Sequence, residues 1–258
     1  MTSPSPPSLP WLEDHDPLPA PWQAWGDDSP APGLLAAGGG LSVARLKEAY
    51  AQGTFPWYSQ GQPVLWWCTQ PRMVLPTQGF RLHRSLRKTL QRFRDDPACE
   101  IRIDTQFDRV IAACASTPRA GQGDTWIVPE MVQAYQDLHR AGHAHSVETW
   151  IGQELVGGLY LVNLGQAVFG ESMFSHRTDA SKIALAALSA WARHAGIGWI
   201  DCQQQTPHLA RLGASPIPVS EFLARVQAAR VRPAPTWQFD PVYWDALLSS
   251  PDHPSTAD

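Results

Sequence analysis

The chain is poor in cysteine and has no framework in which its thiols could act together. Cys68, Cys99, Cys114 and Cys202 form no C-x-x-C pair, and each lies in an apolar context. That argues against a disulfide scaffold or a cysteine zinc site and leaves reduced, buried thiols. No apolar run approaches the length of a membrane span, and no basic stretch followed by an apolar one opens the chain. Neither a membrane anchor nor a secretory leader is therefore expected, and cytoplasmic residence is. Charged residues make up only 17%, with a net charge of −4. A generic nucleic-acid coat is excluded, and any such contact must rest on a local basic patch. There is no internal repeat and no Gly-x-Ser-x-Gly elbow. Ser172 and Ser175 flank Glu171 without an evident His–Asp pair, which speaks against nucleophilic hydrolysis.

What the chain has in excess is tryptophan, 12 residues, and proline, 24 in a length of 258. Some of the tryptophan must pack the core, yet a surplus of large rings also suits stacking on nucleobases. A hydrophobic content of 43% is that of a globular protein. The length suits one large or two small domains, burying roughly three quarters of the unfolded surface. Residues 1–32, rich in Pro, Ser and Asp, show no periodicity and read as an extension whose Trp11, Trp22 and Trp25 are free to dock on the body. Residues 33–73 read as a small N-terminal domain. It starts with a glycine-rich turn at 33–40, which lacks the preceding strand and the Lys-Ser/Thr of a phosphate loop. A helix follows, capped by Ser42, with Val43, Leu46, Ala49 and Tyr50 at helical spacing and Gly53 as its stop.

Residues 74–235 read as α/β and 236–258 as a tail. Helical patterns occupy 83–93, 107–115 and 130–140. Strand patterns follow at 146–151, 155–162 and 166–170, joined by the hairpin signals Gly152-Gln153 and Asn163-Leu164-Gly165. Residues 179–195 form the strongest helix, with a broad apolar face and Gly196 as its stop. A strand at 198–203 and short helices near 207–212 and 220–230 complete the pattern. Meander, long helix and a strand beside the meander is an acetyltransferase-like (GNAT-like) layout. The fold expected is thus α/β (α+β), a mostly antiparallel sheet flanked by helices behind a small N-terminal domain.

Two short segments carry candidate chemistry. Gly170-Glu171-Ser172 follows an apolar run at 167–169, and Asp201-Cys202-Gln203 follows one at 198–200. The helix between them sets two parallel strand ends side by side, so Glu171, Asp201 and Gln203 can converge on one cleft. Polar residues also end strands without any task, and the segments alone do not separate the two readings. Asp201 and Gln203, two apart on one strand, are expected on the same face, where the carboxylate can polarise the Gln203 amide or take a proton directly. Residues 81–94 hold Arg81, Arg84, Arg87, Lys88, Arg92 and Arg94 with no acidic residue; they are either a phosphate-binding patch or a solvated helix face. The run 193–198 matches the R-x-x-G-x-G of CoA-binding loops, but it ends a helix instead of opening one, so the dipole is reversed and CoA binding is not expected. His139, His143 and His145 invite a metal, yet Glu148 falls on the opposite strand face and no other ligand is near. Surface or satisfied histidines, and no metal, are expected.

Further segments occur in a fixed order: Phe55-Pro56-Trp57-Tyr58, Leu65-Trp66-Trp67, Thr125-Trp126-Ile127, Gly142-His143-Ala144-His145-Ser146-Val147-Glu148, Leu155-Val156-Gly157-Gly158-Leu159-Tyr160, Ala180-Ser181-Lys182 and His208-Leu209-Ala210-Arg211-Leu212-Gly213-Ala214. From about residue 33 to about 223 this series closely resembles the bacterial leucyl/phenylalanyl-tRNA–protein transferase family. The resemblance implies a GNAT-like C-terminal domain, a monomer and no cofactor. It also implies transfer of Leu or Phe, and less readily Met, from Leu-tRNA, Phe-tRNA or Met-tRNA to the N-terminal amine of proteins beginning with Arg or Lys, marking them for degradation. Such an ester is already activated, so the protein must position the amine, accept its proton and stabilise an oxyanion.

By the same resemblance, Asp201 and Gln203 form a relay in which the Gln oxygen draws the proton from the amine. Glu171 stands across the cleft near the aminoacyl α-amine or the acceptor, and a ribose hydroxyl of the tRNA is the rival proton carrier. Trp57 and Trp126 match tryptophans that contact the terminal adenosine. Leu159, Val168, Leu185, Leu188 and Ile200 fall where the family lines its side-chain pocket. Arg81, Arg84, Arg87 and Lys88 are the candidates for the tRNA backbone. Gly40 stands where an acidic residue is common, and Arg211 where Ser is usual. The alternatives are a GNAT-type N-acyltransferase using acyl-CoA, and a non-catalytic module that binds protein N-termini or RNA.

Overall fold

The computed structural model describes residues 8–117 and 127–249. The first sheet is made of short strands: β1 (Trp11–Leu12), β2 (Leu34–Gly38), β3 (Phe55–Pro56) and β4 (Leu65–Trp67), in the order β1-β2-β4-β3. The stretch expected as a turn at 33–40 is therefore strand in its first half. Its Leu-Leu-Ala-Ala side chains are buried and its backbone pairs with β4, and positive φ is confined to Gly33 before the strand and Gly38 and Gly39 at its end. Between β2 and β3 lies α1 (Val43–Ala51), whose N-cap Ser42 accepts the Arg45 N–H at 3.2 Å, as the first turn of a helix requires. Leu46, Ala49 and Tyr50 face inward.

The second sheet comprises β5 (Arg72–Pro76), β6 (Cys99–Ile103), β7 (Ala144–Ile151), β8 (Glu154–Leu164), β9 (Ala167–Ser175), β10 (Trp199–Gln203) and β11 (Ser215–Ile217), in the order β11-β5-β10-β9-β8-β7-β6. All neighbours are antiparallel except β9 and β10. Its helices are α2 (Arg84–Asp95), α3 (Phe107–Ser116), α4 (Pro129–Arg140), α5 (Ala180–His194), α6 (Pro207–Arg211), α7 (Val219–Ala229) and α8 (Asp245–Leu248). This is the mixed α/β fold expected, a mostly antiparallel sheet flanked by helices behind a small N-terminal part.

The sheet separates two cores. Along β8, Tyr160 and Val162 point to one shared with α1, α3, α4 and α7, while Leu159 and Leu161 point to one shared with α2 and α5, the alternation of a strand buried on both faces. α5 is alanine-rich and lies directly on the sheet. A Cβ at Gly157 of β8 would sit 2.5 Å from the Ala180 Cβ, so only glycine admits the helix this close. The segment expected as a tail docks over its described part. The Trp237 ring stacks on His145 at 4.2 Å and on Trp191 at 4.0 Å, and Trp244 and Leu247 are buried.

Candidate active site

β9 and β10 share one register pair, Asp201 opposite Phe169, and part beyond it. Both strands bulge there. Tyr160 pairs with Ser172 and Leu161 with Gly170, so Glu171 is an extra residue in β9. Asp201 lies opposite Val74 and Gln203 opposite Met73, so Cys202 is extra in β10. A bulge leaves the inserted residue unpaired and re-aims nearby side chains. β9 runs on to Ser175 instead of ending at residue 170, so Glu171 belongs to the interior of a bulged strand and not to a strand end.

The parting opens a cleft of about 560 Å³. Leu159, Leu185, Leu188 and Ile200 line it together with Met173 and Leu209; Phe55, Trp57 and Tyr160 line it from the other side of the sheet. Between these walls stand Glu171, Asp201 and Gln203, so the three polar candidates do converge. Val168 is the exception among the apolar candidates: it is fully buried in the core behind the slot and does not reach the cleft. Trp57 is half-buried against Trp67, with ring centroids 5.4 Å apart. Trp126 lies outside the described residues.

The hydrogen bond expected between Asp201 and the Gln203 side-chain amide does not form. Asp201 is wholly buried and bound in bidentate fashion by Arg72, Nε to Oδ1 at 2.8 Å and Nη2 to Oδ2 at 2.6 Å. Arg72 is itself stacked between the rings of Phe55 and Phe222 at 4.8 and 4.4 Å, a site that suits a guanidinium better than an ammonium. Asp201 Oδ1 also accepts the backbone N–H of Gln203 at 2.9 Å. Gln203 has φ +59°, which a residue with a Cβ adopts only when its surroundings impose it. Gln203 Nε2 donates instead to Glu171 Oε1 at 2.8 Å.

Glu171 has a second partner. The Tyr135 hydroxyl donates to its Oε2 at 3.2 Å, and the Tyr50 hydroxyl lies 2.5 Å from that of Tyr135. Burial pushes the Glu171 carboxyl up to about 8, opposed by the hydroxyl of Tyr50, reinforced by the charge of Asp201, and opposed again by Tyr135 and Arg72. Glu148, on β7, serves the fold. That buried carboxylate accepts from Thr105, the Gln106 N–H, Ser146 and Trp150, and ties α3 to β7.

The basic stretch forms α2 and its approach. Arg81, Arg84 and Lys88 are exposed, and the patch adjoins the cleft rim: the Arg81 N–H donates to Leu212 O, and the His83 ring bonds Arg211 O beside α6. Arg87 is half-buried, and its guanidinium donates to Leu248 O at 2.9 Å, which ties the C-terminal segment to α2. Arg193 likewise serves the fold, donating to Thr77 O and Ala246 O at the C-terminal end of α5; the R-x-x-G-x-G match presents no helix N-terminus. His139 bonds Ala144 O and His145 bonds Asp104. Among the described residues no group of three or more His, Cys, Asp or Glu is placed to hold a metal.

Sequence reasoning missed Arg72, Tyr50 and Tyr135. The available signal was a phenol on the apolar face of each of two helices, since a buried tyrosine hydroxyl needs a partner.

An apolar slot opening onto an amide and a carboxyl that is backed by two buried phenols, at the parting of parallel strands in a mixed α/β sheet, suits a group-transfer enzyme that handles an apolar moiety beside a proton-bearing one. The comparisons give the family. The profile described as "Leucyl/phenylalanyl-tRNA protein transferase" matches residues 74–227, and that of its N-terminal domain matches 39–70. A protein of Polaromonas sp. named "Leucyl/phenylalanyl-tRNA--protein transferase" is 59% identical over 94% of this chain and 95% of its own length. Proteins of the same name from Albidiferax ferrireducens and Leptothrix cholodnii are 57% identical over 98% of this chain and 59% identical over 93%, covering 100% and 95% of their own lengths. The chain belongs to the leucyl/phenylalanyl-tRNA–protein transferase family.

Proposed function

We propose that this protein moves Leu or Phe, and Met less readily, from charged tRNA to the N-terminal amine of proteins that begin with Arg or Lys, marking them for degradation. The observation that carries the reading is the adjacency of the apolar slot (Leu159, Leu185, Leu188, Ile200) to the Gln203–Glu171 pair. A Leu or Phe side chain fills the slot while its ester carbonyl stays at the polar cluster. Such a slot rejects charged side chains and separates similar apolar ones by only about 1–3 kcal/mol per methylene, hence the broad choice of cargo. Trp57, with Trp126, stacks on the terminal adenosine, which needs no net positive charge. Arg81, Arg84 and Lys88 meet phosphates beside the cleft.

Gln203 Oε1 takes no hydrogen bond among the described residues and is the acceptor offered to the incoming amine. Asp201 acts through Arg72 and the backbone of Gln203, holding the bulge. Residues 33–73 contribute the stacking wall and 74–235 the chemistry, in a cytoplasmic monomer. No described helix is long and apolar enough to cross a membrane.

The test is a transfer assay with purified protein. Labelled Leu passes from Leu-tRNA to a peptide starting with Arg, and not to one starting with Glu or carrying an acetylated terminus. Label on neither peptide, with intact Leu-tRNA present, refutes the reading.

A further inference from the structure

We infer that Glu171 carries the proton from the attacking amine to the departing ribose oxygen, with Tyr135 and Tyr50 as positioning residues that hold its carboxylate for the task. This rests on the transferase reading above and concerns the proton alone. Three groups of the polar cluster between the cleft walls, set apart from His208 on α6, could be asked to take it. Asp201 is spent, because its oxygens hold Arg72 twice and the Gln203 N–H. Gln203 Oε1 orients an amine by accepting a hydrogen bond, but an amide oxygen does not keep a proton. Glu171 remains, on its bulge at the cleft wall.

Its surroundings are built around the carboxyl. Gln203 Nε2 donates to one oxygen at 2.8 Å, and the Tyr135 hydroxyl to the other at 3.2 Å. Tyr50, from α1, meets Tyr135, from α4, at 2.5 Å, and both phenols are wholly buried. The titratable and charged groups facing Glu171 are these two tyrosines, Asp201 on β10 and Arg72 on β5, and Tyr160 on β8 faces Tyr135. The negative and positive charges of Asp201 and Arg72 oppose each other. Burial holds both phenols well above their ordinary ionisation, so they stay neutral and serve as donors.

The step balances without a co-reactant. The amine lone pair forms the C–N bond to the ester carbon, and one N–H proton passes to the Glu171 carboxylate. The bond from carbon to the ribose oxygen breaks with its electron pair on oxygen, which takes the proton from Glu171. The carboxylate is restored for the next turnover.

The experiment measures kcat against pH from 6 to 9 for the full chain, with Leu-tRNA and an Arg-peptide, in wild type, Tyr135→Phe, Tyr50→Phe, Glu171→Gln and Glu171→Asp, each with its melting temperature. Glu171→Gln is expected to lose about 10²- to 10⁴-fold at every pH, with Glu171→Asp recovering part of it. Removing a phenol removes a donor that favours the carboxylate. Each Phe variant should therefore keep KM within about twofold, lose roughly tenfold at neutral pH, and regain rate as the rising limb moves up by about one pH unit. The acceptor α-amine titrates at about 8 as well, so the displacement between variants, and not the limb itself, is the readout. If both Phe variants superimpose on wild type, or lose the same factor at every pH, the inference is wrong while the transferase reading stands. If wild type transfers nothing, that reading itself has failed.

Discussion

Arg72 and Asp201 lie 129 residues apart in sequence and share one fully buried ion pair, so each charge depends on the other for its solvation. Asp201→Ala leaves a guanidinium between two phenyl rings with no anion and releases the backbone of Gln203. A loss of about 3–5 kcal/mol in unfolding free energy is expected, and most lost transfer in that variant then reports misfolding. Replacing both, Arg72→Met with Asp201→Leu, should cost less than either single change, which urea titrations of the cycle will measure. Trp57→Ala at the cleft wall should weaken use of charged tRNA by about 1–3 kcal/mol, seen in its KM, with little change in stability because the ring is only half-buried. At this scale the convergence of Glu171, Asp201 and Gln203 was legible, since strand–helix–strand order alone brings two strand ends together. The roles inside the cluster were not. Arg72 sits far off in sequence, and an apolar helix face hides a phenol whose partner is unknown.

The elements with strong periodicity were read nearly to the residue. α4 and α5, the strands β7 and β8, and the Ser42 cap follow from apolar spacing and from the glycines that end them. The two bulges were invisible, because one inserted residue breaks the alternation that identifies a strand; Glu171-Ser172 looked like a terminator when β9 continues to Ser175. β1 and β11, of two and three residues, are too short to carry a period. The clearest test at this level is Gly157→Val. Its side chain would overlap Ala180 and lift the N-terminal end of α5 from the sheet. A loss of about 1–3 kcal/mol is expected. Because α5 also bears Leu185 and Leu188, the relative use of Leu-tRNA and Phe-tRNA should change with it. Transfer ratios that match wild type would detach slot shape from helix seating.

Taken as a whole, the molecule gives up stability to hold a carboxyl at its cleft wall. The folded-state value of Glu171 is about 8 against an ordinary 4.5. Between those limits the unfolded chain is ionised there while the folded one keeps its proton, so unfolding releases a proton and this group's contribution to stability falls as pH rises through the window. Glu171→Gln should melt near the wild-type temperature at pH 5 and higher than wild type at pH 8. A difference that does not grow with pH would show the carboxyl to be unstrained. The C-terminal segment contributes in the other direction: Trp237→Ala removes the middle ring of a three-ring stack and should cost about 3–5 kcal/mol.

The same polar cluster is gathered from five distant points, Tyr50, Arg72, Tyr135, Glu171 and Asp201, with Gln203 last. Until residue 203 has been made and folded back beside Arg72 and Glu171, the cluster does not exist, so a fragment that stops short of it lacks the assembled site.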